Sequence, residues 1–128
     1  MKSLAIALLS GLLTLFSVSA TAAEIPFNQS QFDGALTAGK PVAVVFHADW
    51  CPTCRAQAPV LKGLAQSPDL MALTLYVADF DSEKALKKSL GVTKQSTIVV
   101  FKNGKEIARS TGDTQRDTLA VLLHSAIS

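Results

Sequence analysis

The chain is poor in cysteine, tryptophan, tyrosine and charge. Its 128 residues hold two Cys, one Trp and one Tyr, and only 17% are Asp, Glu, Lys or Arg. A small exported domain held by several disulfide bridges needs more cysteines than this. The two present, Cys51 and Cys54, lie too close in sequence to staple distant segments. With only His47 and His124 to add, they fall short of a convincing closed zinc site of four ligands. A formal net charge of +2 offers no basic stripe for nucleic acid. Repeats, low-complexity tracts and interdomain linkers are also missing.

What is abundant is apolar residue, 48% of the chain, and part of it sits at the N-terminus. Met1, Lys2 and Ser3 form a short, weakly basic start. Leu4 to Val18 is an apolar run interrupted only by Ser10, Gly11, Thr14 and Ser17, and Ala20-Thr21-Ala22 follows as an A-x-A cleavage pattern. This layout reads as a secretory signal peptide over residues 1–22. The competing reading is an uncleaved anchor, for which the run is short against the roughly 20 residues a span needs. No cysteine lies at the cut to carry a lipid. Residues 23–128 then form one domain of ordinary single-core size, periplasmic or secreted after cleavage.

The spacing within that domain predicts β-α-β-α-β-α-β-β-α, an α/β class. Ile25 to Phe27 is a short strand that Pro26 confines to an edge. Asn28 or Ser30 caps a helix carrying Phe32, Ala35 and Leu36 inward, and Gly39 closes it. Pro41 to His47 is a valine-rich buried strand. Arg55 to Ala65 places Ala58, Leu61, Leu64 and Ala65 at helical spacing. A strand centred on Leu73 to Val77 follows. A helix capped by Asp81 or Ser82 comes next, with Ala85, Leu86 and Leu90 inward, Lys84, Lys87 and Lys88 outward, and Gly91 at its end. Thr97 to Phe101 and Lys105 to Thr111 flank Asn103-Gly104, a strong hairpin signal. After Gly112, Thr114 and Asp117 have capping-box spacing before a helix with Leu119, Leu122, Leu123 and Ile127.

Both cysteines fall where a strand ends and a helix begins, in Trp50-Cys51-Pro52-Thr53-Cys54-Arg55. The unpaired N–H groups and partial positive charge of a helix N-terminus favour thiolate over thiol. A C-x-x-C pair placed there can attack a disulfide with Cys51 and resolve the mixed disulfide with Cys54. The same pair could instead be half of a metal site shared between two copies of the chain. Two functional classes therefore stay open: a thiol–disulfide oxidoreductase, and a non-enzymatic module that binds a metal or a partner protein through this edge.

Ala48-Asp49-Trp50-Cys51, Phe101-Lys102-Asn103-Gly104 and Gly112 occur in an order that resembles the thioredoxin family over nearly all of residues 23–128. The resemblance implies the thioredoxin fold, a central mixed β-sheet flanked by helices on both faces. It implies a monomeric oxidoreductase acting on protein disulfides through a redox-active Cys51–Cys54 disulfide, with no other cofactor and no metal. Trp50-Cys51-Pro52-Thr53-Cys54-Arg55 is similar to the motif of periplasmic thioredoxin-like proteins of cytochrome c maturation. That similarity implies a reductant supplied by a membrane thiol-transfer protein. The additional central segment and membrane anchor usual in those proteins have no counterpart here, so their particular substrate is not implied.

Three positions depart from the family pattern. Val45 stands where thioredoxins hold a buried aspartate, and Val77 where they hold its lysine neighbour. Ser96, followed by Thr97, takes the place of a cis-proline that faces the cysteines. A cis bond before Ser96 would cost about 3–4 kcal/mol, so a trans bond is expected, with the Ser96 amide or hydroxyl free to donate to the Cys51 thiolate. His47 lies on the same side of its strand as Val45 and is either packing or a proton acceptor for the cysteines. Trp50 is expected to contact substrate, and Pro52, Thr53, Ser96 and Thr97 to bind substrate or tune the site.

Overall fold

The structure, a computed structural model, describes Leu15 and residues 23–128. The signal-peptide reading falls on residues outside those described, Leu15 apart. Nine of the elements follow the expected order: β1 (Ala23–Pro26), α1 (Gln29–Thr37), β2 (Val42–His47), α2 (Pro52–Ala65), β3 (Thr74–Asp79), α3 (Lys84–Leu90), β4 (Thr97–Lys102), β5 (Lys105–Thr111) and α4 (Arg116–His124). A 3-10 turn at Pro68–Leu70 follows α2.

The strands form one mixed sheet in the order β1-β3-β2-β4-β5. β1, β3 and β2 run parallel, whereas β4 is antiparallel to β2 and β5 to β4. β2 is the central strand, and its sequence VAVVFH suits burial on both faces. Alternation sends Ala43 and Val45 to one face, where they pack with Leu61 and Leu64 of α2 and Leu119 and Leu123 of α4. Val42, Val44 and Phe46 point the other way, to Phe32 of α1 and Leu86 of α3. Each such leucine or phenylalanine, fully buried, contributes about 1.5–3 kcal/mol. Two helices on each face thus clamp β2, and its C-terminal end is delivered rigidly to the turn that carries the cysteines.

The mixed sheet with helices on both faces is the expected architecture; the local differences are at helix ends. α2 begins at Pro52, before the apolar spacing starts, because proline at the first helical position has its φ preset and lacks only an orphan N–H. Asn28 caps α1, its side chain accepting from the Gln31 N–H at 2.9 Å. Neither Asp81 nor Ser82 caps α3. Their N–H groups both donate to the Asp79 carboxylate at 2.9 Å, and Glu83 occupies the N-cap without a side-chain bond. The Thr114–Asp117 capping box does not form either. Gln115 is the N-cap, and its N–H donates to Asp113 Oδ1 at 2.9 Å. In α3, Leu86 is buried while Ala85 is exposed, since a seven-residue helix turns only a narrow stripe inward. Lys87 does not simply face solvent. Its Nζ lies 3.8 Å from the Phe80 ring centroid, a cation–π contact.

Candidate active site

β2 ends at His47, and the chain turns through Ala48, Asp49 and Trp50 to place Cys51 at the N-cap of α2. The Cys51 sulfur does what an N-cap oxygen does elsewhere: it accepts the Cys54 N–H, at 3.4 Å. Cys54, one turn into the helix, points inward. Its residue is fully buried, and Cys51 is 8% exposed. Both are free thiols, packed with Ala48 and Phe80.

The two sulfurs differ in acidity for separable reasons. The Cys54 backbone N–H, aided by side-chain bonds from Cys54 and Ser96, holds the Cys51 thiol below its ordinary value of 9.0. Burial pushes the Cys54 thiol up. The less buried sulfur is therefore the more acidic, and burial favours the thiol form of the inner one.

Across from the helix lies Ser96, at the end of the loop into β4. Its Oγ is 2.8 Å from Cys54 Sγ and 3.8 Å from Cys51 Sγ. The peptide bond before it is trans, as expected, with no cis bond among the described residues. Its φ is +59°, a left-handed conformation uncommon outside glycine. Three bonds impose that conformation. The Ser96 N–H donates to Phe46 O at 2.8 Å, and the Ser96 carbonyl accepts from the Gly112 N–H at 3.0 Å and from Gln57 Nε2 at 3.2 Å. The expectation that the Ser96 amide is free for Cys51 is thus corrected. The amide closes the loop onto β2, and only the hydroxyl reaches the sulfurs, closest to Cys54.

Gln57 is a residue that sequence reasoning missed. It is buried in α2, one turn beyond Cys54, and donates through Nε2 to Asp113 O at 2.8 Å as well as to Ser96 O. It therefore ties the cysteine helix to the Ser96 loop and to the loop before α4. A signal existed: Cys54, Gln57, Leu61 and Leu64 form one stripe at helical spacing, and a glutamine in such a stripe needs buried partners.

The other expected site residues divide. Trp50 is 59% exposed beside Cys51, held by its Nε1–H donating to Asp81 Oδ2 at 2.8 Å. Pro52 and Thr53 form the exposed first turn of α2. Thr97 spends its hydroxyl on Lys94 O at 2.8 Å and Thr111 Oγ1 at 2.9 Å, locking β4 to its flanks rather than reaching the cysteines. His47 donates through Nε2 to Asp49 Oδ1 at 2.8 Å, and no hydrogen bond joins its ring to either sulfur. It borders a shallow groove with Arg55, Ala58 and Lys62. Val45 and Val77 present only hydrocarbon to the α2 face of the sheet. Among the described residues no group of three or more His, Cys, Asp or Glu side chains is placed to hold a metal ion.

Residues 23–125 match the family model described as thioredoxin. The chain belongs to the thioredoxin family. It is 34% identical to a thioredoxin of Chlamydia muridarum over 96 residues, covering 75% of this chain and 91% of that protein. Among solved structures it resembles Trxlp of Edwardsiella tarda, at 35% identity and a TM-score of 0.76, covering 79% of this chain and 98% of the other. A thioredoxin variant of Halobacterium salinarum is similar at 26% identity, with a TM-score of 0.74 and coverage of 86% and 96%. Family membership and the paired thiols of unequal acidity make this thioredoxin-like protein a thiol–disulfide oxidoreductase, one that acts on protein disulfides.

Proposed function

We propose that this protein works in the cell envelope as a reductant of protein disulfides, with Cys51 the attacking thiol and Cys54 the resolving one. The observation that carries the division of labour is the inequality of the two thiols at the start of α2. The Cys51 thiolate attacks one sulfur of a substrate disulfide, forms a mixed disulfide and releases the first substrate thiolate. Cys54 then attacks Cys51 Sγ, releasing the second substrate thiol and leaving a Cys51–Cys54 disulfide. Two electrons pass from the protein's dithiol to the substrate. Exposed Trp50 and the Pro52–Thr53 turn border the attacking sulfur and supply the surface against which substrate lies.

The envelope location rests on the N-terminal pattern of residues 1–22. The reducing direction rests on the Cys-Pro-Thr-Cys motif and its similarity to envelope reductants. A reductant there needs electrons, which a membrane thiol-transfer protein supplies to a monomer. The test is trapping: Cys54→Ala should accumulate mixed disulfides with envelope proteins through Cys51, while Cys51→Ala accumulates none. Equal trapping by the two variants would overturn the assignment of roles.

A further inference from the structure

Resolution of the mixed disulfide poses a problem that the site must solve. Cys54 has to become an anion in the dry interior, and an unpaired buried anion is costly. Hydrocarbon covers the sheet beneath it at Val45. His47 is bonded to Asp49, and the Thr97 hydroxyl is occupied by Lys94 O and Thr111 Oγ1. From outside its own helix the Cys54 sulfur meets Phe46 O, at 4.0 Å, the Ala48 backbone N–H, and Ser96 Oγ, at 2.8 Å, the one side-chain group of the three. A carbonyl can only accept, so it can hold the thiol but not the thiolate. The hydroxyl can do either.

We propose that the Ser96 hydroxyl is a catalytic donor that serves both sulfurs in turn, facing Cys51 at rest and stabilising the Cys54 thiolate during resolution. This rests on the assignment of Cys51 as attacker and Cys54 as resolver. When Cys51 is the thiolate, Cys54 S–H donates to Ser96 Oγ, at 2.8 Å, and the Ser96 proton turns toward Cys51, 3.8 Å away. Once Cys51 is bound in a mixed disulfide its sulfur is neutral and no longer needs a donor. Rotation about the Ser96 Cβ–Oγ bond then turns the O–H toward Cys54, with no backbone movement. The Cys54 sulfur attacks Cys51 Sγ, the bond from Cys51 Sγ to the substrate sulfur breaks, and the substrate thiolate departs. The proton shed by Cys54 to solvent is balanced by the one the departing thiolate takes up. The step is therefore Cys54–SH plus the mixed disulfide giving the Cys51–Cys54 disulfide plus free substrate thiol.

The surroundings are built for this. The three bonds to the Ser96 backbone hold its φ at +59° and fix Cβ toward the cysteines, so the hydroxyl needs to find only its rotation. Gln57 is a positioning residue in this arrangement, acting through the Ser96 carbonyl. Cys51 depends on Ser96 less, because the Cys54 N–H already donates to it at 3.4 Å. Loss of the hydroxyl should therefore slow the second step more than the first.

Two variants test this in the mature protein, with glutathione disulfide as substrate. Ser96→Gly keeps the left-handed backbone available and removes the hydroxyl, and Ser96→Ala keeps Cβ. Acid quenching at timed intervals followed by mass spectrometry counts the Cys51–glutathione intermediate. Either variant that folds should accumulate it, with resolution about 30-fold slower, the loss expected on removing a donor to a buried anion. Formation of the intermediate should change by no more than about threefold. Cys54→Ala serves as the reference that traps all of it. If Cys54→Ala traps glutathione on Cys51 but the Ser96 variants resolve as fast as the parent, or lose both steps equally, the role given to Ser96 is wrong. If Cys54→Ala does not trap on Cys51, the assignment of attacker and resolver fails first.

Discussion

The active site has two halves of different origin. One is the turn from β2 into α2, residues 47–54, where the main donor to Cys51, the Cys54 N–H, is contributed within a few residues. The other is the Ser96 loop, held by Phe46, Gln57 and Gly112, which are remote in sequence. The first half creates an accessible thiolate from the start of a helix. The second decides what the buried sulfur can do. A local half tolerates change elsewhere in the chain; a half assembled from distant pieces fails when any one of them is altered.

Ser96→Pro should break the second half most severely. Proline fixes φ near −65° and has no N–H, whereas this position has φ +59° and donates to Phe46 O at 2.8 Å. The variant restores the family's residue but not the backbone that accommodates it. We expect it to lose at least about 2 kcal/mol, from the unpaired buried carbonyl and the rebuilt loop. Urea unfolding reads this directly, and an unchanged midpoint would show that the loop accepts both conformations.

Gln57→Leu comes next. It preserves the bulk of the α2 stripe but strips one donor from each of the Ser96 and Asp113 carbonyls. Ser96 O retains the Gly112 N–H, so the expected loss is about 1–2 kcal/mol. On a domain of this size that lowers Tm by about 4–8 °C per kcal/mol. Cys51 should keep most of its acidity, since its principal donor, the Cys54 N–H, lies within α2. A shift of Cys51 acidity as large as that produced by changing Ser96 would erase the distinction between the halves.

The smallest effect belongs to a contact outside both halves. His124 Nε2 meets Asp69 Oδ2 at 2.9 Å while Nδ1 meets Ala120 O at 2.7 Å. Both ring nitrogens face acceptors, an arrangement that favours the protonated ring. The Ala120 carbonyl and then the Asp69 carboxylate raise its pKa above 6.5, and bonds from Ser67 and His124 lower that of Asp69 to about 2. The histidine contribution is present in full below pH 6.5 and is lost as pH rises through the raised folded value. The aspartate contribution is present above 3.8 and is lost as pH falls toward about 2. His124→Gln should flatten the stability profile above pH 6.5, by an amount that salt reduces because the pair is exposed. It should leave turnover as it is. A change in turnover would show that α4 couples to the cysteines.

The same split explains what could be read from the sequence. The strand order of burial, the helix faces and the Cys51–Cys54 turn are local patterns: valine runs, leucines at helical spacing, a C-x-x-C at a strand–helix junction. The trans bond before Ser96 followed from the absence of proline. Its left-handed φ did not, because that depends on Phe46 O, the Gly112 N–H and Gln57 closing on one residue from three directions. Alternation puts His47 on the α2 side, where a role at the cysteines is one reading; that its ring hydrogen-bonds the neighbouring Asp49 carboxylate depends on the turn and is not legible in the spacing. The caps of α3 and α4 were misplaced for a related reason. Asp79 and Asp113 capture the turn N–H groups ahead of the residues with better capping spacing.

The central claim is that one thiol, at the edge of the surface, is the more acidic nucleophile and the other, fully buried, the less acidic one. Alkylation of the reduced native protein with iodoacetamide across a pH series, read at each cysteine by mass spectrometry, tests it most directly. Cys51 should be modified first, with a midpoint below 9.0, and Cys54 should resist until pH is well above that value or the protein unfolds. Modification of Cys54 at the same pH and rate as Cys51, or ahead of it, would contradict the account.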